Sequence, residues 1–159
     1  NAVGSKWQMR NTGRAEFLGG ECAVSYAPHA KVRVGANYSY IQRKNLDRPE
    51  IHFTDVPANK LFAYVDFRPS KLLYVNANSE YDDFRYSTSY GTRTGPYTVF
   101  NAKVGFNMGP RLSLEGSVNN ILDTNYAIVE GYPCEGRNFM VRLLFRSLDP
   151  DQHKTSTTP

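Results

Sequence analysis

Apolar and polar side chains take turns along almost the whole chain, and this period of two constrains the fold more than any other feature. From 31 to 42, Val32, Val34, Ala36, Tyr38 and Tyr40 make one row, and Lys31, Arg33, Gly35, Asn37 and Ser39 make the other. A strand points successive side chains to opposite faces, so the segment carries one apolar and one polar face. The pattern recurs in 14–26, 60–68, 73–80, 100–106, 111–118 and 138–146, and a shorter stretch, 6–11, opens the series with Trp7 and Met9. Seven long strands and a truncated eighth are predicted. In nearly every strand Ala, Val, Leu or Phe stands back to back with Lys, Arg, Glu or Asn, and no strand is apolar on both faces.

The connections alternate as well. "APHA" (27–30), "PS" (69–70) and "NMGP" (107–110) are tight links whose Pro and Gly suit turns, whereas 43–58, 83–95 and 121–137 are long. In a meander this puts every tight turn at one end of the sheet and every long loop at the other. A transmembrane β-barrel has that asymmetry, with a lipid-facing apolar row and a lumen-facing polar row. Two other architectures share the alternation, a soluble β-sandwich binding module and a free-standing eight-stranded barrel. The sandwich needs a dry core between two sheets. The small barrel needs a full-length first strand and near-complete pairing of Lys31, Arg33, Arg68, Glu80, Lys103, Arg111 and Arg142 in a narrow interior.

Composition narrows the function classes. The formal charge of +4 comes from Lys and Arg scattered singly, which argues against a nucleic-acid partner. No apolar run approaches the ~20 residues of a membrane helix. The mean hydropathy of −0.53 agrees with strands that alternate. Cys22 and Cys134 make neither a CxxC nor a metal-ligand spacing, so neither a disulfide scaffold nor a metal site is expected. Asp82 and Asp83 would point to opposite faces of a strand, and His29, His52 and His153 stand in no catalytic spacing. No catalytic residue and no cofactor is predicted.

Four motifs carry a resemblance. "VNNILDTNY" (118–126) and "GYPCEGRNFMV" (131–141) resemble the closing-strand signatures of the TonB-dependent outer-membrane receptors, and "NTGRAEFLGGE" (11–21) and "VPANK" (56–60) resemble two of that family's earlier strand joins. The resemblance implies an all-β, antiparallel transmembrane barrel segment, about eight strands of a barrel of roughly 22. It also implies a bacterial outer-membrane location and import of a scarce ligand such as an iron siderophore, haem or cobalamin. The implied partners are outer-membrane lipid and lipopolysaccharide, the remaining strands and plug of the receptor, and the TonB system. Residues 1–148 are assigned to the barrel and 149–159 to a polar, disordered tail. Ser147 and Cys134 depart from the family pattern, which has an aromatic at the barrel end and a small or apolar residue before the Gly-Arg pair.

Candidate residues fall in two groups. Arg43, Arg48, His52, Arg85, Tyr86, Arg93 and Tyr132 lie in or at the base of the long loops. There Arg would bind anionic groups through paired donors and Tyr would offer flat apolar area with a polar tip. Asn119, Asn120, Asp123 and Asn125 suit a chain leaving a strand through left-handed backbone, with Tyr126 as a loop anchor. Gly136 is expected to supply an unusual backbone angle, and Arg137, on the face of Phe139, to reach the rim of the membrane.

Overall fold

A computed structural model describes residues 2–3, 6–7 and 13–146. Seven strands form one antiparallel sheet in chain order: β1 (Ala15–His29), β2 (Val32–Asn45), β3 (Asn59–Phe67), β4 (Leu73–Asp82), β5 (Tyr97–Asn107), β6 (Leu112–Asn119) and β7 (Asn138–Phe145). Among the described residues each pairs only with its neighbours in sequence, so β1 and β7 are open edges there. Of the expected eighth strand, Lys6–Trp7 pairs with Ala2–Val3 as a separate two-stranded ribbon, and 8–11 lie outside the described residues. Residues 147–159, with the predicted tail, lie outside them too.

The register joins the apolar rows of all seven strands into one surface. Val24 lies opposite Ala36, Ala36 opposite Ala63, Val65 opposite Ala77, Ala77 opposite Ala102, Ala102 opposite Val118, and Gly116 opposite Val141. Since cross-strand partners share a face, one slip of a single residue anywhere would break this surface. None occurs in β2–β7. One register shift, between Tyr26 and His29, closes the β1–β2 hairpin, so the tight link shrinks to Ala30 and Lys31 and His29 ends the strand.

Among the described residues this surface packs on nothing. Tyr97 and Val99 are the only buried hydrophobic residues among those described, while Val24, Val65, Val104, Leu114, Val141 and Leu143 are exposed. A sandwich would cover that row with a second sheet, and none is present among the described residues. A single sheet with one apolar and one polar face suits two different environments, as the wall of a transmembrane barrel does.

The polar face has its own bonding. An amide ladder runs up it: Asn76 donates to Asp66 (2.8 Å), Asn78 to Asn76 (3.1 Å), Asn101 to Asn78 (2.9 Å), and the Asn120 N–H to Asn101 Oδ1 (2.9 Å). Two tyrosines lie flat on the same wall, each over a glycine of the next strand. Tyr64 on β3 covers Gly35 on β2 and reaches Ser25 Oγ on β1 at 3.4 Å; Tyr74 on β4 covers Gly105 on β5 and donates to Glu115 on β6. A Cβ at Gly35 would stand 2.5 Å from Cε1 of Tyr64, and one at Gly105 would stand closer still to Cζ of Tyr74. We expect Gly105→Val to cost about 1–3 kcal/mol by displacing that ring. Urea unfolding in lipid vesicles measures it, and adding Tyr74→Ala should recover part of the loss; no recovery would mean the ring is not what the glycine accommodates.

Candidate functional site: the loop canopy

β2 outruns its neighbour. Its pairing with β3 stops at Tyr40 opposite Asn59, whereas with β1 it continues to Asn45 opposite Ala15. The five extra residues carry the hairpin about 16 Å further at ~3.3 Å each. Loop 46–58 folds back along this overhang because Arg43 holds it there: Nη1 donates to the Thr54 carbonyl (3.0 Å), and Nη2 to those of Phe53 (3.3 Å) and Val56 (2.7 Å). Asp47 closes the base of the loop on Arg14, accepting its backbone N–H and its Nε, both at 2.9 Å. Those bonds, the backbone one foremost, hold the Asp47 carboxyl below its ordinary value. The clip is therefore complete at neutral pH and is lost as pH falls through that lowered value. Gly13, at φ +84, leaves no room for a Cβ beside Asp47.

The other long loops dock in series, loop 83–96 on the first and loop 120–137 on loop 83–96. Residues Arg85–Tyr86 and Arg93–Thr94 form a small ribbon in loop 83–96. The His52 N–H donates to the Ser89 carbonyl (2.9 Å) and the Asp55 N–H to the Tyr86 carbonyl (3.0 Å). Loop 120–137 joins through the Glu130 N–H, which donates to Ser87 Oγ (3.1 Å). Ring contacts reinforce the join: His52 stacks on Tyr86 with centroids 4.0 Å apart and planes within 3°, Phe84 meets Tyr86 edge-on, and the Arg93 guanidinium sits 4.9 Å above Phe84. A cavity of about 320 Å³ opens beneath, lined by Arg43, His52, Phe53, Phe84, Arg85 and Tyr86 among others.

Under the canopy a charged group anchors loop 83–96. Asp82 is 2% exposed. Its Oδ2 accepts from Arg85 Nη2 and from Tyr97 Oη (2.8 Å), and Lys60 Nζ, bonded to Glu80 at 2.5 Å, stands 3.6 Å from Oδ1. Burial strengthens this pairing and raises the cost of leaving any member alone. Among the described residues no three His, Cys, Asp or Glu side chains come together to hold a metal ion.

The predicted contact residues thus divide. Arg43, His52, Arg85 and Tyr86 line one cavity, and Arg93 adjoins it through Phe84. Two of these are already engaged: Arg43 by carbonyls and Arg85 by Asp82. Arg48 is exposed, its N–H capped by Asn45 Oδ1 at 2.9 Å, and Tyr132 is 75% exposed in the third loop; neither lines the cavity. Phe53, Phe84, Lys60 and Tyr97 were not singled out from sequence. Alternation places Lys60 on the polar face but does not indicate its partners, and Tyr97 precedes the predicted strand 100–106.

The family model for the TonB dependent receptor-like beta-barrel matches residues 1–121 of the chain. The chain belongs to that family. Its fold agrees with solved TonB-dependent receptors. The siderophore receptor PiuA from Acinetobacter baumannii is 17% identical, over 82% of this chain and 22% of that one, with a TM-score of 0.71. The copper transporter OprC is 15% identical over 82% and 23%, with a TM-score of 0.71, and the ferric-catecholate import receptor Fiu from E. coli K12 in its closed form is 20% identical over 82% and 21%, with a TM-score of 0.67. No curated protein matches. The chain spans about a fifth of the length of these solved structures. TonB-dependent receptor barrels are outer-membrane proteins, and the family is one of receptors rather than enzymes.

In this TonB-dependent receptor barrel the segment "NNILDTNY" is a knot. Asn120, 3% exposed and at φ 50, donates through Nδ2 to the carbonyls of Thr124 (2.9 Å) and Glu135 (3.3 Å) and accepts the Thr124 N–H at Oδ1 (2.8 Å). Asp123, at φ 56, accepts the Arg137 N–H at 2.7 Å, and Asn119 donates to Asn138 at 2.8 Å. Gly136 needs correcting: it is not among the positive-φ residues, and a glycine is needed there because a Cβ would stand 2.8 Å from Asp123 Oδ1. Tyr126 packs on Tyr97 with rings 4.3 Å apart, and burial pushes its phenol up. Arg137 is exposed, and Phe139, 74% exposed, stands opposite Val118 on the apolar face. Asn120→Asp keeps the shape but turns a carboxylate toward two carbonyls, so we expect a loss of about 1–3 kcal/mol and earlier proteolysis of loop 120–137, measured by urea midpoint and limited trypsin digestion.

Proposed function

We propose that the chain forms part of the wall and the outer loop canopy of a receptor that imports a scarce ligand across the outer membrane under TonB drive, a ferric siderophore before haem or cobalamin. The observation that carries this reading is the cationic and aromatic cavity beneath the joined loops of a TonB-dependent receptor barrel. His52 and Tyr86 offer a flat stacked pair, and Arg93 and Arg48 offer guanidinium donors to an anionic chelate. Tyr132 completes the contact set from the third loop. Arg43 and Arg85 act by holding loops 46–58 and 83–96 in place. The solved structures described as siderophore, ferric-catecholate and copper proteins support the class of cargo.

In this reading the barrel has roughly 22 strands, its lumen is filled by a plug, and the apolar face contacts lipid and, at the loop end, lipopolysaccharide. Uptake of iron-55 presented as ferric catecholate and ferric hydroxamate siderophores tests it, with the receptor deleted and restored under iron limitation. Restoration of uptake of one class, and a several-fold loss of apparent affinity in His52→Ala, is the expected result, since one lost stacking contact is worth about 0.5–1.5 kcal/mol. Uptake indifferent to the deletion for both siderophores, with haem or cobalamin uptake restored instead, would replace the cargo.

A further inference from the structure

The overhang of β2 leaves a short stretch of main chain unpaired. In an antiparallel strand the N–H and C=O of successive residues point to opposite neighbours. The Lys31 carbonyl accepts the Arg68 N–H (2.7 Å) and the Ile41 N–H donates to the Ala58 carbonyl (2.9 Å), so the odd-numbered residues of β2 bond towards β3. The Leu46 N–H donates to the Arg14 carbonyl (2.9 Å), so the even-numbered ones bond towards β1. Past Ile41 the N–H and C=O of Arg43 and Asn45 aim at the side that β3 has left, and among the described residues neither has a backbone partner there. Loop 46–58 fills that side without replacing the strand, because its Phe53, Thr54 and Val56 carbonyls go to the Arg43 guanidinium. Asn45 is 5% exposed and its side chain caps Arg48, which closes the far end of the edge. Arg43 is half-buried and lines the cavity of about 320 Å³. A closed barrel pairs the edges of β1 and β7, whereas the gap at Arg43 lies inside this chain's own sheet and closure does not reach it.

We propose that the edge at Arg43 pairs with an extended peptide chain carried by the cargo, one residue of which exchanges N–H and C=O bonds with Arg43. The inference deepens the receptor reading above and rests on it: the imported ligand carries a short peptide with an anionic group beside the paired residue. Three observations select that occupant. An unpaired strand edge is satisfied in full by another extended backbone, which brings a donor and an acceptor at the matching spacing. The cavity lies near the lower end of the range for ligand pockets, about 300–1,000 Å³, so it admits a short segment and not a folded domain. Its wall holds Arg43, His52 and Arg85 with no carboxylate, and Arg85 Nε is buried without a partner, which favours an acidic peptide over a basic one. The rings of His52, Phe53, Phe84 and Tyr86 line the same cavity and receive the groups next to the paired residue.

Hydrogen exchange resolved to single amides tests this on the full-length receptor in lipid nanodiscs, with the amidated peptide acetyl-Thr-Val-Thr-Asp as the probe. Without peptide, the Arg43 amide should exchange about tenfold faster than those of Gln42 and Lys44, which pair with β1 opposite Leu18 and Glu16. Millimolar peptide should slow Arg43 several-fold and leave Gln42 and Lys44 unchanged. In a series with one peptide amide N-methylated at a time, binding measured by calorimetry should weaken about tenfold at the paired residue and little at its neighbours. Replacing the acid of the probe by its amide should weaken binding several-fold. An Arg43 amide already protected in the free receptor, or one the peptide leaves unprotected, would overturn the proposal. So would equal binding of every N-methylated form, which would assign the cavity to side-chain contacts alone. Iron-55 uptake reports the receptor reading separately: restored uptake with an unprotected Arg43 defeats this inference alone, and protection of Arg43 without restored uptake of either siderophore keeps the peptide site and removes the iron chelate as cargo.

Discussion

Asp82→Leu is expected to destabilise the receptor by about 3–5 kcal/mol, the cost of removing one partner from a buried pair. Arg85 has a side chain 7% exposed and would be left with a single distant contact, Tyr97 Oη at 3.3 Å, while Tyr97 would lose its acceptor. Lys60 would keep Glu80, so the damage falls on the base of loop 83–96. Because that loop accepts the His52 and Asp55 N–H groups at its carbonyls and the Glu130 N–H of the third loop at Ser87 Oγ, the canopy should open as a unit. Urea unfolding in lipid vesicles measures the stability change, and hydrogen exchange at 46–58 and 83–96 measures the opening. The double variant Asp82→Leu/Arg85→Met should regain most of the stability, since a pair replaced by apolar groups of similar volume leaves no uncompensated charge. A single-variant loss below 1 kcal/mol, or exchange confined to 83–96, would show that neither burial nor loop coupling has the weight given to them here.

Ala102→Arg is expected to cost about 2–4 kcal/mol in a membrane-inserted receptor, the penalty for a guanidinium on the lipid face near the bilayer midplane. Ala102 lies between Ala77 and Val118 in the middle of the apolar surface, far from either end of β5. Asn37→Arg is the matched control. It is exposed on the polar face of β2, opposite Ala23 and Phe62, and should change stability by less than about 1 kcal/mol. Equal penalties at the two positions would contradict a sheet that separates lipid from water, whatever the family.

The two faces were readable in advance because strand alternation is local. Whether Val34 and Arg33 point apart is settled by backbone geometry over a few residues, and the register then only had to bring equal rows together. Loop lengths were likewise readable, since Pro and Gly restrict the backbone where they stand. The roles of Asn120 and Asp123 as left-handed positions belong to this class, as a property of single residues and their own backbone.

Gly136 shows where local reasoning stops. Its need for hydrogen in place of a side chain comes from Asp123, thirteen positions earlier, and becomes visible only when loop 120–137 has closed. Arg43 and Arg85 stood in the sequence as free guanidinium groups of long loops; the fold spends one on the carbonyls of 53–56 and the other on a carboxylate beside Tyr97. His52 and Tyr86 are 34 positions apart, and nothing in either segment announces the stack that joins them. By itself the sequence determined which side chains share the apolar face and which the polar face, since that follows from the period of two. Only the tertiary structure decided which loop residues are tied to other groups of the chain, because that depends on distant groups satisfying each other first.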